Sequence, residues 1–146
     1  MSPNTIPQLR ILVVDDEDLV RDTLKMLLSF DRHLVTAASS GRQALEIFQP
    51  GKFDLVITDY AMPDMKGDHL AAAIKGRAPT QPVIMLTAYA EAVRDDNSLL
   101  KHLDGLIPKP FQIETLREAI ARALTTKPLS PDSPKPSPPP PSSTSV

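Results

Sequence analysis

Polar side chains that can do chemistry follow four of the five short apolar runs in this chain. They are Asp15 and Asp16 after the first run, Asp59 after the third, Thr87 after the fourth and Lys109 after the fifth. An aspartate can act as a nucleophile and become an aspartyl phosphate. Phosphoryl transfer also needs a metal ion and cations close to the transferred oxygens. These residue types therefore indicate a site that acts on a phosphoryl group.

Three carboxylates at one place need a positive partner. Two carboxylates about 5 Å apart repel each other by roughly 3 kcal/mol at an effective dielectric constant near 20. A hard divalent cation offsets this repulsion, and Mg²⁺ suits a site of one or two carboxylates with waters and phosphate oxygens. The ammonium group of Lys109 adds a compact positive charge that suits a phosphoryl oxygen. We therefore expect a divalent cation among Asp15, Asp16 and Asp59.

The apolar runs alternate with stretches of helical spacing. The first run, residues 11–14, is continuous rather than alternating, which is typical of a strand buried on both faces. The alternation predicts an α/β fold in which a five-stranded parallel sheet carries helices on both faces. In such sheets ligands lie beyond the carboxyl ends of the strands, which is where the polar residues stand.

The sequence marks the helices with unequal clarity. The first predicted helix places five side chains on one face, namely Leu19, Thr23, Met26, Leu27 and Phe30. The helix after the fourth strand is the least clear, because residues 95–98 compete for backbone hydrogen bonds and favour turns. We expect His33 and His102 at the surface or at a strand start and His69 in a helix, without the spacing of a metal site.

Composition and charge exclude several functional classes. The 146 residues allow one folded domain, which we place at 9–126 between a disordered N-terminus at 1–8 and a disordered Pro/Ser-rich tail at 127–146. A net charge of −2 argues against direct DNA binding, and the absence of cysteine excludes disulfide and thiolate sites. No apolar run approaches the roughly 20 residues of a membrane span. No secretory signal is visible, so we expect a cytoplasmic protein that does not contact membranes.

Four motifs together resemble the receiver (CheY-like) domain of two-component response regulators. They are VVDDE at residues 13–17, DLVITD at 54–59 followed by Met62 and Pro63, LTA at 86–88 and KPF at 109–111. Each motif alone is weak, because acidic pairs after strands are common, but four in order at strand ends are specific. The similarity covers about residues 10–125. It implies a flavodoxin-like, doubly wound sheet with strand order 2-1-3-4-5.

The resemblance implies a role for each polar residue at the strand ends. Asp59 matches the phosphoacceptor, which takes a phosphoryl group from a phosphohistidine on a sensor histidine kinase or a histidine phosphotransfer protein. The implied ligands of Mg²⁺ or Mn²⁺ are Asp15, Asp16, Asp59 and the backbone carbonyl of Ala61. Thr87 and Lys109 match the hydroxyl and the amine that contact the phosphoryl group. The resemblance also implies a cis peptide bond between Lys109 and Pro110.

The sequence departs from the family pattern at the residues that report phosphorylation. Most family members carry Tyr or Phe three residues before the lysine, and this chain has Leu106 there. In the family, this aromatic ring exchanges between buried and exposed positions when the hydroxyl that corresponds to Thr87 moves. Leucine has no ring that could make this exchange. Tyr89 is the candidate substitute, so the expected switch residues are Thr87, Tyr89 and Leu106. Pro108 has no backbone donor, which fits an edge strand.

The expected function is a phosphorylation-dependent signalling switch. We expect it to catalyse its own phosphorylation and slow dephosphorylation but not to act as an enzyme on other substrates. Its output is expected to reach an unknown partner protein through the face of the fourth helix, fifth strand and fifth helix. A phosphorelay intermediate, which passes the phosphoryl group to another histidine, is the main alternative. A hydrolase of the haloacid-dehalogenase type carries Asp-x-Asp after its first strand, which residues 15–17 do not match. A receiver used only for binding and a fragment of a hybrid kinase are the remaining alternatives.

Overall fold

A five-stranded parallel sheet forms the centre of the protein in a computed structural model that describes residues 7–125. The strands are β1 (Arg10–Val14), β2 (Leu34–Ala38), β3 (Leu55–Asp59), β4 (Val83–Thr87) and β5 (Gly105–Pro108). Their order across the sheet is β2-β1-β3-β4-β5, and every neighbouring pair is parallel. The predicted α/β class and strand order are confirmed, and Pro108 lies on an edge strand as expected.

Helices cover both faces of this sheet. They are α1 (Asp18–Phe30), α2 (Gly41–Ile47), α3 (Gly67–Arg77), α4 (Ala90–Arg94), α5 (Asn97–Leu100) and α6 (Ile113–Thr125). Helices α1 and α6 pack on one face, whereas α2, α3, α4 and α5 pack on the other. Because the three central strands, β1, β3 and β4, are buried on both faces, they appear in the sequence as continuous apolar runs.

Successive side chains of β1 alternate between two separate cores. Leu12 and Val14 belong to the core beneath α2 and α3, and Ile11 and Val13 belong to the core beneath α1 and α6. All four side chains are at most 1% exposed. Burying an aliphatic side chain contributes roughly 1.5–3 kcal/mol. The strand is therefore anchored from both sides, and it fixes the position of the acidic residues that follow it.

The predicted fourth helix consists of two short helices, α4 and α5. Asp96 separates them, and its Oδ1 accepts hydrogen bonds from the backbone N–H groups of Ser98 (3.0 Å) and Leu99 (3.4 Å). The backbone of Asp96 is extended, as is usual for a residue that caps a helix. The competition for backbone hydrogen bonds expected in this segment thus interrupts the helix without abolishing it.

Helix α1 buries a different stripe from the one that the sequence suggests. No member of the predicted face is fully buried, and Leu19, Met26 and Phe30 are 78%, 64% and 78% exposed. The helix instead buries Leu24 and Leu28 against the sheet. Spacing alone does not show which stripe faces the sheet, because α1 carries apolar side chains on adjacent stripes.

His33, which the sequence places at the surface or at a strand start, lies directly before β2 and is buried, with only 5% exposure. Its Nδ1 accepts a hydrogen bond from the backbone N–H of Leu9 (3.1 Å). The carbonyl oxygen of Leu9 in turn accepts one from the N–H of Leu34 (2.8 Å). Burial lowers the pKa of His33, and the charge of Asp31 opposes part of that shift. The neutral imidazole therefore ties the segment before β1 to the start of β2.

The two predictions of disorder concern the ends of the chain. The tail at 127–146 lies outside the described residues, and so do residues 1–6 of the predicted N-terminal segment 1–8. The domain boundaries at 9 and 126 stay predictions. Between residues 7 and 125, no helix has the length and apolar character that crossing a bilayer requires.

Lowering the pH should destabilise the protein through His33. The pKa of His33 lies below its ordinary value of 6.5, so the folded state prefers the neutral ring that accepts the Leu9 hydrogen bond. This stabilisation is complete above about pH 6.5 and is lost as the pH falls through the folded-state pKa. Urea unfolding of the wild type and of His33→Gln should show the stability difference shifting against the wild type below about pH 6.5. A difference that stays constant with pH would contradict this role.

Candidate functional site

The carboxyl ends of β1 and β3 place two aspartates side by side. Val14 pairs with Thr58 in the parallel register. The residues that directly follow them, Asp15 and Asp59, are therefore neighbours at the same edge of the sheet. Asp15 and Asp59 are buried, at 1% and 7% exposure, whereas Asp16 is exposed. One carboxylate oxygen from each of the three lies within 4.8 Å of the other two. The sheet therefore brings together the three carboxylates that the sequence predicts at one site.

Lys109 lies among these carboxylates. Its Nζ is 3.2 Å from Oδ2 of Asp15, 3.4 Å from Oδ1 of Asp59 and 4.0 Å from Oε1 of Glu17. The backbone N–H of Lys109 donates to the carbonyl oxygen of Thr87 (2.9 Å), which holds the end of β5 against the end of β4. The amine is thus fixed at the same edge of the sheet as the acids.

The two buried carboxylates are oriented by backbone N–H groups. Oδ1 of Asp15 accepts from the N–H of Glu17 (2.9 Å), and Oδ1 of Asp59 accepts from the N–H of Tyr60 (2.8 Å). Within residues 7–125, no hydrogen bond holds the carboxylate of Asp16. Of the three carboxylates in the cluster, that of Asp16 is therefore the one whose orientation is set by its own backbone and not by a hydrogen bond.

The charges at this edge are only partly balanced. Burial raises the pKa of Asp59 and the negative charge of Asp15 raises it further, while Lys109 and the N–H of Tyr60 oppose the shift. For Lys109, burial lowers the pKa, but the two carboxylates outweigh that effect and hold it above its ordinary value. Ionised Asp59 therefore raises the free energy of the folded state, and an added cation would relieve this cost.

The donor set fits a hard divalent cation. The three carboxylates offer oxygen ligands, and exposed Asp16 leaves room for the waters that Mg²⁺ retains. Ala61, whose backbone carbonyl is a predicted ligand, lines the same cleft as Asp16 and Asp59. A cation at this point would lie against the carboxylates whose mutual repulsion it neutralises.

An open cleft lies above the acidic cluster. Its lining residues are Asp16, Glu17, Asp59, Ala61, Ala88, Tyr89 and Lys109. Tyr89, a predicted switch residue, stands on the wall of this cleft and is 57% exposed. Leu106 does not line the cleft and instead packs, half-buried, against the core beneath α2 and α3. Tyr89 and Leu106, both predicted switch residues, therefore lie in different parts of the structure.

Thr87 is fully buried at the end of β4. Its Oγ1 accepts a hydrogen bond from the backbone N–H of Tyr89 (3.0 Å), which leaves the hydroxyl proton free to be donated elsewhere. The peptide bond between Lys109 and Pro110 is cis, which confirms that expectation.

Glu17 and Ala88 line the cleft although the predicted site does not include them. Each directly follows a predicted site residue, Asp16 or Thr87, and this adjacency is the signal that could have found them. Glu17 also contributes a third negative charge near Lys109.

Gly67 allows the loop after β3 to close against the end of that strand. A Cβ atom on this residue would lie 2.1 Å from the carbonyl oxygen of Asp59. The N–H of Gly67 also donates to the carbonyl oxygen of Tyr60 (2.8 Å). Any side chain here would displace the backbone that carries the Asp59 carboxylate. Sequence reasoning missed this residue, because nothing in the sequence shows how closely the loop approaches the strand.

Comparison with known proteins identifies the family. A family model for the response regulator receiver domain matches residues 11–121. The chain belongs to this family. It is thus a receiver domain of two-component systems, as the resemblance of its four motifs implied.

Two curated relatives show how the receiver domain compares with whole regulators. It is 35% identical over 107 residues to the response regulator MprA of Mycolicibacterium vanbaalenii, covering 73% of this chain and 46% of that protein. It is also 35% identical over 115 residues to the regulatory protein AtoC of Escherichia coli, covering 79% of this chain and 25% of that protein. The chain therefore spans less than half the length of these two relatives.

Solved receiver structures share this fold. The response regulator TrrA of Thermotoga maritima, solved in complex with Mg²⁺-BeF, has a TM-score of 0.73 and 36% identity, covering 79% of this chain and 98% of that one. The chemotaxis response regulator CheY4 of Vibrio cholerae has a TM-score of 0.72 and 30% identity, covering 80% of this chain and 99% of that one. Both similarities agree with the observed strand order.

Removing the buried charge of Asp59 should stabilise the receiver domain when no divalent cation is present. The pKa of Asp59 is raised, so its ionised form opposes folding at neutral pH, and this penalty disappears only as the pH falls below that pKa. Asp59→Asn keeps a side-chain oxygen for the N–H of Tyr60. In EDTA we expect Asp59→Asn to raise the Tm by about 4 °C or more, which corresponds to roughly 1 kcal/mol.

Asp16→Asn is the matched control for this prediction, since its carboxylate is exposed and should yield a smaller rise in Tm. Added Mg²⁺ should reduce the advantage of both variants, because the wild-type repulsion is then offset by the ion. A lower Tm for Asp59→Asn in EDTA would show that the carboxylate cluster is not strained by repulsion.

Proposed function

We propose that this receiver domain is a phosphorylation-dependent signalling switch in which Asp59 accepts a phosphoryl group from a phosphohistidine. The donor would be a sensor histidine kinase or a histidine phosphotransfer protein. The observation that carries the proposal is that Asp59, a set of candidate metal ligands and the amine of Lys109 meet at one open cleft.

In the proposed transfer, a carboxylate oxygen of Asp59 attacks the phosphorus as the phosphorus–nitrogen bond of the phosphohistidine breaks. The imidazole nitrogen keeps the electron pair of that bond and takes up a proton from water. Lys109, 3.4 Å from Asp59, is placed to pair with a phosphoryl oxygen. The step thus needs positioning and positive charge rather than a separate general base on the protein.

Mg²⁺ or Mn²⁺ is the proposed cofactor, with Asp15, Asp16, Asp59 and the backbone carbonyl of Ala61 as its protein ligands. When bound, such an ion neutralises charge on the phosphoryl oxygens. The backbone bonds to Asp15 and Asp59 orient their carboxylates in advance. This preorganisation lowers the reorganisation needed when the phosphoryl group arrives.

Thr87 and Tyr89 are the proposed reporters of phosphorylation. The hydroxyl of Thr87 accepts from the N–H of Tyr89, so a rotation of Thr87 towards the phosphoryl group would break this bond. Helix α4 begins directly after Tyr89, and β5 leads into Lys109. Two elements of the face formed by α4, α5, β5 and α6 are therefore connected through the main chain to residues of the site. We propose this face as the surface that binds the output protein.

Mass spectrometry after treatment with acetyl phosphate and Mg²⁺ tests the phosphoacceptor. The wild type should gain the mass of one phosphoryl group, and Asp59→Asn should gain none. Omission of the divalent cation should abolish or strongly slow the modification.

Asp64→Asn provides the matched control for this experiment. Asp64 lies in the same loop as Ala61 but its carboxylate accepts from the N–H groups of Gly41 and Arg42, away from the cleft. This variant should be modified as fast as the wild type. Modification of Asp59→Asn to the wild-type extent would refute Asp59 as the acceptor.

A further inference from the structure

We infer that Arg21 is a positioning residue for the cation site, because it fixes the backbone that directs Asp16 into the cleft. This inference rests on the proposed metal-dependent function and adds a residue outside the cleft to it. Arg21 matches none of the four receiver motifs and does not line the cleft.

The guanidinium group of Arg21 reaches back from the first turn of α1 to the end of β1. Its Nη1 donates to the backbone carbonyl of Asp15 (2.8 Å). Its Nη2 pairs with the carboxylate of Asp18, and its own backbone N–H donates to the carbonyl of Glu17 (3.0 Å). The side chain is only 18% exposed. Arg21 therefore links both ends of the loop that contains Asp16.

The bond to the Asp15 carbonyl controls the direction of Asp16. The peptide group between these two residues is planar, so holding its oxygen also sets the orientation of the Asp16 nitrogen. On the far side of Asp16, the N–H of Glu17 is held by Oδ1 of Asp15 (2.9 Å). The main chain is thus fixed on both sides of a residue whose own carboxylate has no hydrogen bond in the described part of the chain.

Loss of the Arg21 contact should weaken cation binding. Asp16 is exposed, so packing against neighbours does not hold it, and without Arg21 its backbone would have to become ordered when the cation binds. Partners that orient metal ligands change metal affinity by about tenfold or more when they are removed. We therefore expect the Kd for Mg²⁺ to rise about tenfold.

The charge of Arg21 would have the opposite effect. A positive group behind the acidic loop repels a divalent cation, so deleting the charge alone would tighten Mg²⁺ binding. Lysine keeps the charge but lacks the planar fork that bonds the Asp15 carbonyl and the Asp18 carboxylate together. Arg21→Lys and Arg21→Gln therefore separate geometry from electrostatics.

The test is a Mg²⁺ titration of the full chain, followed by the emission of its tyrosines and by the rise in Tm. The chain contains no tryptophan, and Tyr89 lines the cleft. Arg21→Lys should bind Mg²⁺ about tenfold more weakly than the wild type, and Arg21→Gln should lose less affinity, because removal of the positive charge offsets part of the effect. Arg117→Lys is the matched control, since Arg117 forms a similar fork with Asp31 at 2.9 Å outside the cleft. Its Mg²⁺ affinity should equal that of the wild type.

Phosphorylation by acetyl phosphate supplies a second readout. In Arg21→Lys the Mg²⁺ concentration for half-maximal rate should rise about tenfold, while the rate at saturating Mg²⁺ stays close to that of the wild type. Wild-type affinity, or tighter binding, in Arg21→Lys would overturn the inference and leave the proposed function standing. Absence of Mg²⁺ binding by the wild type would instead refute the proposed function and this inference with it.

Discussion

Repulsion among three carboxylates, only partly offset by one amine, is the constraint on which the carboxyl-terminal edge of the sheet in this receiver domain depends. Asp15 and Asp59 are buried within reach of each other, and Lys109 is shared between them. Such a cluster would separate if its strands could move. The strands are held in place because β1 and β3 are packed between two apolar cores and lie side by side in register. The cores therefore supply the stability that offsets the electrostatic cost of this arrangement.

The fold and the site could be predicted from the sequence to the extent that both follow from one topological rule. Continuous apolar runs indicate strands buried on both faces, and parallel strands bring their carboxyl ends to one edge. Knowing which residue follows each run is then enough to bring Asp15, Asp59 and Lys109 together without any knowledge of distances. The observed register, with Val14 opposite Thr58, agrees with this rule.

Features that depend on contacts between distant segments could not be predicted in this way. The face of α1 that meets the sheet depends on the helix rotation, and the exposed stripe is as apolar as the buried one. Burial of His33 depends on Leu9, which lies 24 residues earlier. The need for glycine at position 67 depends on an approach to Asp59 that is visible only in space. Arg21 donates to a backbone carbonyl, which every residue carries, so no sequence motif could reveal this hydrogen bond.

Sharing of Lys109 also couples the proposed phosphoryl group to the proposed cation. In the described structure the amine lies 3.2 Å from Asp15 and 3.4 Å from Asp59. A phosphoryl group on Asp59 would bring further negative oxygens to this amine and draw it away from Asp15. Asp15 would then depend more on the divalent cation for its neutralisation, so phosphorylation would favour metal binding. Because coupling between two binding events is reciprocal, the cation must favour phosphorylation to the same degree at equilibrium.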